Sequence, residues 1–479
     1  MRGKLLHYSM LMPVLWLLAA PSTVTAETVP DAATTAAPEM THSEVNLPAA
    51  SAVRDDSFKT MLEATYQNNP RILAARQQLQ ATNENMAIAA SGFRPSVAAG
   101  FDTGRSKVKS GDGPSVSDDA ENRELRGEQP LFRGGSVWAN FKAAQERSRA
   151  GQAQLLAVEQ SVLIEAITAY MDVLSAQAIL ELSRNNRDVL AKQLKASEDR
   201  FEVGEVTRTD VAQSQARLSQ ARTNVISAEG AVLTSLAAFE RVARYRPETT
   251  LSIPKDMPEL PLKREEAVEM ARAANPDLMA ALQIEQATKL DIDSAIGTLL
   301  PQVTLVGAAT RQEGPSRNGT TNFDQDIVTV NFRVPLYQAG SEYAKVRQAK
   351  AVARQQKHNA METEAATEEN VARAWERMQT SIATIAERHD EIKAAQIALE
   401  GVKLEEEYGA RTVLDVLDAE QELFSAQTNL VRAERERVIA VYSLLLTIGK
   451  LTPEHLELGI ASYDPTIHFD DTRWKFIGF

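Results

Sequence analysis

The sequence predicts a mainly α-helical fold with a membrane β-barrel: a tandem-duplicated subunit with four β-strands plus long coiled-coil helices. Three observations lead to this fold class. The order of motifs recurs after about 205 residues, long segments repeat small and apolar residues every seven positions, and short runs alternate apolar with polar side chains. These patterns indicate a duplication, packed helices, and strands that face two different environments.

The first 26 residues have the three parts of a secretory signal peptide. Arg2 and Lys4 form a basic start, residues 11–20 form an apolar core, and Ala26 ends a run of small residues. We therefore predict cleavage after Ala26. A transmembrane anchor is the alternative, but the apolar run is shorter than the ~20 residues that span a bilayer, and no later stretch reaches that length without interruption. Residues 27–57 are expected to be a flexible leader.

Composition argues against several classes of function. The formal net charge is −13, which disfavours nucleic-acid binding because that needs basic surface to displace counterions. The chain has no cysteine, which excludes disulfides and thiolate metal sites. Its six histidines are scattered, and no sequence motif with a catalytic mechanism occurs. We expect no enzyme activity, no catalytic residue, no cofactor and no metal site.

The duplication is visible at several landmarks. Asn69-Pro70 recurs 206 residues later as Asn275-Pro276, and the segment 129–136 recurs 205 residues later as 334–341. The domain organisation predicted from these landmarks is a signal peptide (1–26), the leader (27–57), repeat 1 (58–246), an equatorial linker (247–262), repeat 2 (263–450) and a C-terminal equatorial segment or tail (451–479).

Each repeat is predicted to contain the same helices in the same order. A short helix (58–68 and 264–274) ends before the Asn-Pro pair, because a residue that precedes proline disfavours the helical conformation. A second helix follows (71–91 and 277–298). After the strands come a very long helix (136–201 and 341–408), a glycine-containing turn, and a last helix (210–243 and 415–448).

Seven-residue spacing in the last helices predicts coiled-coil packing. The rows are Val211, Leu218, Val225, Val232 and Phe239, then Ser214, Ala221, Ala228 and Ser235, and in the second copy Ala419, Ala426, Ala433 and Ala440. Small residues at one position of the heptad allow helices to approach closely. An ordinary cytosolic coiled coil would also explain these heptads, but it explains neither the strand-like runs nor the signal peptide.

The strand-like runs, at about 95–133 and 301–337, are predicted to form a membrane sheet. In 326–336, Val328, Val330 and Phe332 alternate with Thr329 and Asn331, as in a barrel wall with lipid outside and water inside. Loops rich in small polar residues are expected at 107–120 and 312–323. Four strands cannot close a barrel, and an open edge in lipid leaves backbone groups unpaired. The chain is therefore expected to oligomerise.

The motif Gly-x-Arg-Thr-x-x-Asp-Val-Leu-Asp-Ala-Glu at 409–420, together with the duplicated layout, resembles the TolC family of outer-membrane efflux proteins. The resemblance implies a homotrimer in the outer-membrane lipid, with a twelve-stranded β-barrel continuous with a periplasmic α-barrel. It also implies a periplasmic adaptor and an inner-membrane ABC or other export pump as partners. The expected function is an exit duct for proteins (type I secretion), for drugs and small toxic compounds, or for both. The alternative is a periplasmic coiled-coil adaptor or scaffold.

The resemblance also implies roles for residues at the turns between long helices. Asp415 and Asp418 would line the periplasmic entrance constriction, and Arg411, Thr209 and Asp210 would form a latch that holds the entrance shut. The adaptor-docking turns would contain Gly204, Thr207, Arg208, Gly409, Arg411 and Thr412. One departure is that the family has an aromatic residue three positions before the turn glycine, as Phe201 is here, whereas the second copy has Glu406 there and Tyr408 directly before the glycine.

Overall fold

A computed structural model describes residues 58–108, 116–247, 251–252, 254, 257–313 and 322–472. All of them belong to one compact unit, Arg54–Phe479. The predicted signal peptide (1–26) and leader (27–57) lie outside the described residues.

The described residues form helices and strands in the same order twice. In the first copy these are α1 (Phe58–Asn68), α2 (Pro70–Ser91), β1 (Ser96–Val108), β2 (Val116–Arg133), α3 (Ser136–Glu202) and α4 (Arg208–Ala243). In the second copy they are α5 (Arg264–Ala274), α6 (Pro276–Gly297), β3 (Gln302–Glu313), β4 (Asn322–Arg333), α7 (Ser341–Glu407) and α8 (Val413–Thr447), and a short α9 (Ile467–Thr472) follows.

The asparagine before each Asn-Pro proline starts a helix and also holds it in place. Asn69 caps α2 by accepting a hydrogen bond from Arg71 N, and Asn275 caps α6 in the same way. Each asparagine also donates from Nδ2 to the end of a distant helix, at 2.9 Å to Val242 O and 3.0 Å to Thr447 O. Proline is well placed at the first helical position, where no backbone donor is needed. The duplication therefore extends to individual hydrogen bonds.

The strands differ in length from the predicted ones. β2 begins at Val116, inside the segment predicted to be a loop, and β1 continues to Val108. β4 ends at Arg333, not at Leu336, because Pro335 has no N–H group to donate to a neighbouring strand. Pro130 in the first copy lies at an irregularity in the β2–β3 register, which is where a strand tolerates proline.

The four strands form one antiparallel sheet in the order β1-β2-β3-β4. β1 and β4 are its edges, so their outer backbone groups have no partner strand within the described residues. Every residue of β4 is exposed in the single chain. The strand ends that connect to helices all lie at one end of the sheet, as the pairs Arg133–Gln302 and Gln302–Arg333 show.

The main core lies in the middle of the long helices. Side chains of α1, α3, α4, α5, α7 and α8 meet there, and Tyr170, Phe239 and Leu444 are fully buried. One window of α3 is apolar and long enough, by length and composition alone, to cross a membrane. Its side chains around Leu163 and Ile167 are buried in this core, which accounts for that composition.

The junction between sheet and helices depends on close backbone approach. Gly134 has a φ of +60°, and a Cβ at this position would lie 2.1 Å from the carbonyl oxygen of Gly297. A larger residue would therefore clash with backbone, in addition to the strain of a positive φ. The α3 start and the α6 end are fixed against each other at this point.

Candidate functional site at the helix tips

Helices α3 and α4 form a first long hairpin and α7 and α8 a second, and both end in turns of nearly identical geometry. Gly204 has a φ of +83° and Gly409 a φ of +74°, and each terminates a 67-residue helix in the left-handed conformation that glycine adopts without strain. Glu205 N donates to Arg200 O at 2.9 Å, and Ala410 N donates to Glu405 O at 2.8 Å. At 1.5 Å per residue these helices are roughly 100 Å long, so the turns lie far from the sheet.

Each turn leads into a helix that begins with a capping box. In the second copy Thr412 N donates to Asp415 Oδ2 at 2.8 Å, and Asp415 N donates to Thr412 Oγ1 at 3.3 Å. Thr207 and Asp210 form the same pair of bonds in the first copy. The bond from the Thr412 backbone, and then that from its hydroxyl, lowers the pKa of Asp415 below its usual value. Asp415 is therefore a charged carboxylate at neutral pH.

Arg411 is held within its own turn. Its Nε donates to Glu405 Oε2 at 2.9 Å, and its Nη1 lies 3.9 Å from Asp415 Oδ1. The hydrogen bond and the charge of Glu405, followed by the charge of Asp415, raise the pKa of Arg411. Arg208 and Thr209 are exposed. The predicted latch from Arg411 to Thr209 and Asp210 stays a prediction.

Two ion pairs join the hairpins to each other near their tips, and the sequence did not reveal either of them. Arg217 of α4 donates to Asp418 of α8 at 2.5 Å. Arg200 of α3 pairs with Glu406 of α7, whose side chain is only 11% exposed. Glu406 stands where the family pattern has an aromatic residue, so a charged contact between hairpins occupies this position. A glutamate side chain that is mostly buried needs a partner of opposite charge, and Arg200 supplies it.

An apolar cluster lies beside these ion pairs. Leu190 and Leu194 of α3 and Leu218 of α4 pack with Val413 and Leu417 of α8, and all five are buried. Val413 and Leu417 belong to the Gly-x-Arg-Thr motif region, so the motif supplies contacts to the first hairpin as well as the turn itself. The tips are therefore packed together, with charged pairs at the edge of the cluster.

Most members of the heptad rows are buried, and the others, such as Val232 and Ala433, are partly buried. Leu218, Ala221 and Val225 of α4 are buried, and so is Ala426 of α8, with 1% of its surface exposed. Among the residues that the structure describes, no group of three or more histidine, aspartate or glutamate side chains is arranged to hold a metal ion. The tips therefore combine close packing with charged side chains.

The sheet has one apolar and one polar face. Phe132, Val303 and Phe332 are opposite one another in the register and share a face, while Thr304 and Asn331 share the other. The apolar face is exposed in the single chain, with Val328 80% and Phe332 67% accessible. Such a surface requires lipid or protein to cover it.

Comparisons with known proteins agree with this architecture. Residues 61–243 and 267–450 match the family described as outer membrane efflux protein. The chain is 30% identical to the outer membrane efflux protein BepC of Brucella suis over 429 residues, which are 89% of this chain and 92% of that protein. It is 25% identical to the alkaline protease secretion protein AprF of Pseudomonas aeruginosa, over 86% of this chain and 89% of that protein.

A solved structure shows the same fold. The crystal structure of CusC aligns with a TM-score of 0.73 at 17% identity, and the alignment covers 82% of this chain and 91% of that chain. The predicted resemblance and the predicted fold class, a duplicated subunit with long helices and four barrel strands, are confirmed. The match in both halves of the chain and the identity to BepC show that this protein belongs to the outer membrane efflux protein family.

Proposed function

We propose that this chain forms the outer-membrane exit duct of a tripartite export system. As a member of its family it is an outer-membrane channel protein that extends into the periplasm. The observation that carries the proposal is the four-stranded sheet, which has two edge strands without a further partner strand among the described residues and one exposed apolar face, attached to helices roughly 100 Å long. A membrane wall and a helical duct are thus parts of one continuous subunit.

Closure of the wall requires more than one chain. The edge strands β1 and β4 have 13 and 12 residues, and lipid offers no hydrogen-bond partner to their outer backbone groups. Pairing β4 of one chain with β1 of the next removes both edges when the ring closes. Three chains supply twelve strands, a number within the range of bacterial barrels. A homotrimer is therefore the proposed assembly.

The proposed partners are a periplasmic adaptor and an inner-membrane ABC or other export pump. The helix-tip turns, with Gly204 and Gly409 at their ends, are the proposed docking points for the adaptor. The names of relatives support both kinds of cargo, because AprF is a secretion protein for alkaline protease and BepC is an efflux protein. We therefore propose export of proteins, of small toxic compounds, or of both.

The proposed entrance lies between the hairpin tips. Asp415 and Asp418 lie one helical turn apart, so three chains would bring six carboxylates to one axis. In the single chain the Asp415 carboxylate also accepts a hydrogen bond from Thr412 N in the capping box of α8, and Asp418 pairs with Arg217. Both carboxylates keep exposed surface, 39% for Asp415 and 58% for Asp418, through which they can face a pore.

The experiment is reconstitution of the purified protein in planar lipid bilayers, together with measurement of its mass in detergent. We expect a trimer that passes ionic current through discrete channels. A monomer that conducts would contradict the assembly, and a stable trimer without current would contradict the duct. An adaptor or scaffold, the alternative function, would insert no channel, so the same recordings separate the two.

A further inference from the structure

The end of the sheet that joins the helices has two arginines in one row of the register. Gln302 of β3 is paired with Arg133 of β2 on one side and with Arg333 of β4 on the other. Residues directly opposite each other in antiparallel strands point to the same face. Neighbouring strands lie about 4.8 Å apart, so the two arginine backbones are about 10 Å apart. Their flexible side chains can therefore approach one ligand together.

These arginines lie on the polar face of the sheet. The next residues on the same face are Thr304 and Asn331, while Phe132 and Phe332, one position earlier in the chain, point to the apolar face. In a membrane barrel the apolar face meets lipid and the polar face meets the aqueous lumen. Arg133 and Arg333 therefore point towards the lumen, at the level where the barrel meets the helical duct.

Their charges are not compensated within the described residues. Three other arginines of the strands form ion pairs there: Arg105 with Asp119, Arg123 with Glu121, and Arg126 with Glu128. Arg133 and Arg333 are exposed and have no acidic partner within 4.0 Å among the described residues. Arg133 also borders an open cleft of about 640 Å³ between α2 and α3, so a ligand has room beside it.

We propose that Arg133 and Arg333 form an anion-binding ring at the base of the barrel, which takes phosphate or carboxylate groups of anionic solutes in the duct. The ring rests on the proposed function, since it needs three chains around a lumen, with two guanidinium groups from each. A guanidinium group binds phosphate or carboxylate through two parallel hydrogen bonds. A bound anion would also relieve the repulsion between arginines that lie in one row.

The test is block of channel current by inorganic tripolyphosphate added from the extracellular side of a bilayer at low ionic strength. That side reaches the ring without passing the carboxylates of the periplasmic entrance. We expect the double variant Arg133→Gln with Arg333→Gln to require at least about tenfold more tripolyphosphate for half-block. Arg333→Gln alone should give an intermediate shift, and citrate should act as a weaker blocker with the same order among variants.

The matched control is Arg123→Gln with Arg311→Gln. These two arginines are also directly opposite each other, and they lie on the face that carries Leu125 and Val328, so the control removes the same charge from the lipid side. Its half-block concentration should equal that of the parent. The ring is contradicted if the half-block concentration of the Arg133 and Arg333 double variant equals that of the parent. It is also contradicted if the control variant shows an equal increase in half-block concentration. If the parent channel conducts but tripolyphosphate does not block it, only the anion-binding ring is contradicted. If the parent passes no current at all, the proposed function is contradicted.

Discussion

The ion pair between Arg200 and Glu406 is expected to help keep the entrance closed. It joins α3 of the first hairpin to α7 of the second, close to both turn glycines. The substitution Glu406→Gln keeps the size of the side chain and removes its charge. We expect this change to loosen the second hairpin from the first and to raise the open fraction of the channel.

The magnitude follows from the exposure of the two partners. Exposed ion pairs contribute about 0–1 kcal/mol, and loss of one partner from a fully buried pair costs about 3–5 kcal/mol. The side chain of Glu406 is 11% exposed and that of Arg200 is 36% exposed. Water can therefore hydrate the guanidinium group of Arg200 once Glu406 is replaced by a neutral side chain. An intermediate cost of about 1–2 kcal/mol per chain corresponds to a shift of about 5- to 30-fold in the closed-to-open equilibrium of each hairpin.

Single-channel recording in planar bilayers measures this shift as higher conductance or longer open times. The matched control is Glu420→Gln, because Glu420 is 10% exposed and pairs with Lys403 at 2.6 Å within the second hairpin. Loss of the Glu420 charge weakens a comparable ion pair that does not connect the hairpins. Conductance of this variant should therefore stay at the parent level. The exchange Arg200→Glu with Glu406→Arg should restore closure. If Glu406→Gln conducts like the parent, or no better than Glu420→Gln, the pair does not close the entrance.

Three further predictions follow from other parts of the fold. Ala426→Leu adds bulk to a buried seam and should cost about 1–3 kcal/mol, seen as a lower melting temperature of the trimer; an unchanged melting temperature would mean that Ala426 is not in a tight interface. Asp415→Asn with Asp418→Asn should abolish cation selectivity and block by trivalent cations added from the periplasmic side, and retained block would exclude these residues as the constriction. Because its pKa is lowered in the folded chain, Asp415 stabilises the start of α8 above its usual pKa of 3.8, and this contribution is lost as the pH falls through the folded value. The protection factor of amides in the first turn of α8, which is the intrinsic exchange rate at a given pH divided by the measured rate, should therefore fall on acidification below about pH 4 in the parent, and much less in Asp415→Asn.

The helices could be predicted from the sequence because local signals mark their ends. Asn69 and Asn275 each precede proline and start a helix, and Gly204 and Gly409 follow the ends of the long ones. No predicted end of α1 to α8 differs from the structure by more than two residues. The strands were harder to delimit. β2 begins at Val116, in a segment whose charged residues are typical of a loop. This segment is a strand because it forms hydrogen bonds with β1, and composition does not indicate that pairing.

The contacts between hairpins have no local signal at all. Arg200 and Glu406 are 206 residues apart, and Arg217 and Asp418 are 201 apart. Neither separation equals the 205-residue repeat, so comparison of the two copies does not pair these residues. They become partners only when the second hairpin packs on the first. The sequence also does not predict that Arg133 and Arg333 lie in one row of the sheet, because the irregularity near Pro130 shifts the register between β2 and β3.

The duplicated backbone therefore does not imply duplicated roles at the tips. Phe201 and Glu406 occupy equivalent positions before their turns, yet Phe201 is 45% exposed in the single chain whereas the Glu406 side chain is mostly buried against Arg200. A carboxylate that is partly removed from water is stable only where its charge has a partner, while an apolar ring needs only a surface to cover it. The contact of Glu406 can be broken by loss of one charge and restored by charge exchange. The ion pair between α3 and α7 is therefore a contact whose loss would free the two hairpins from each other.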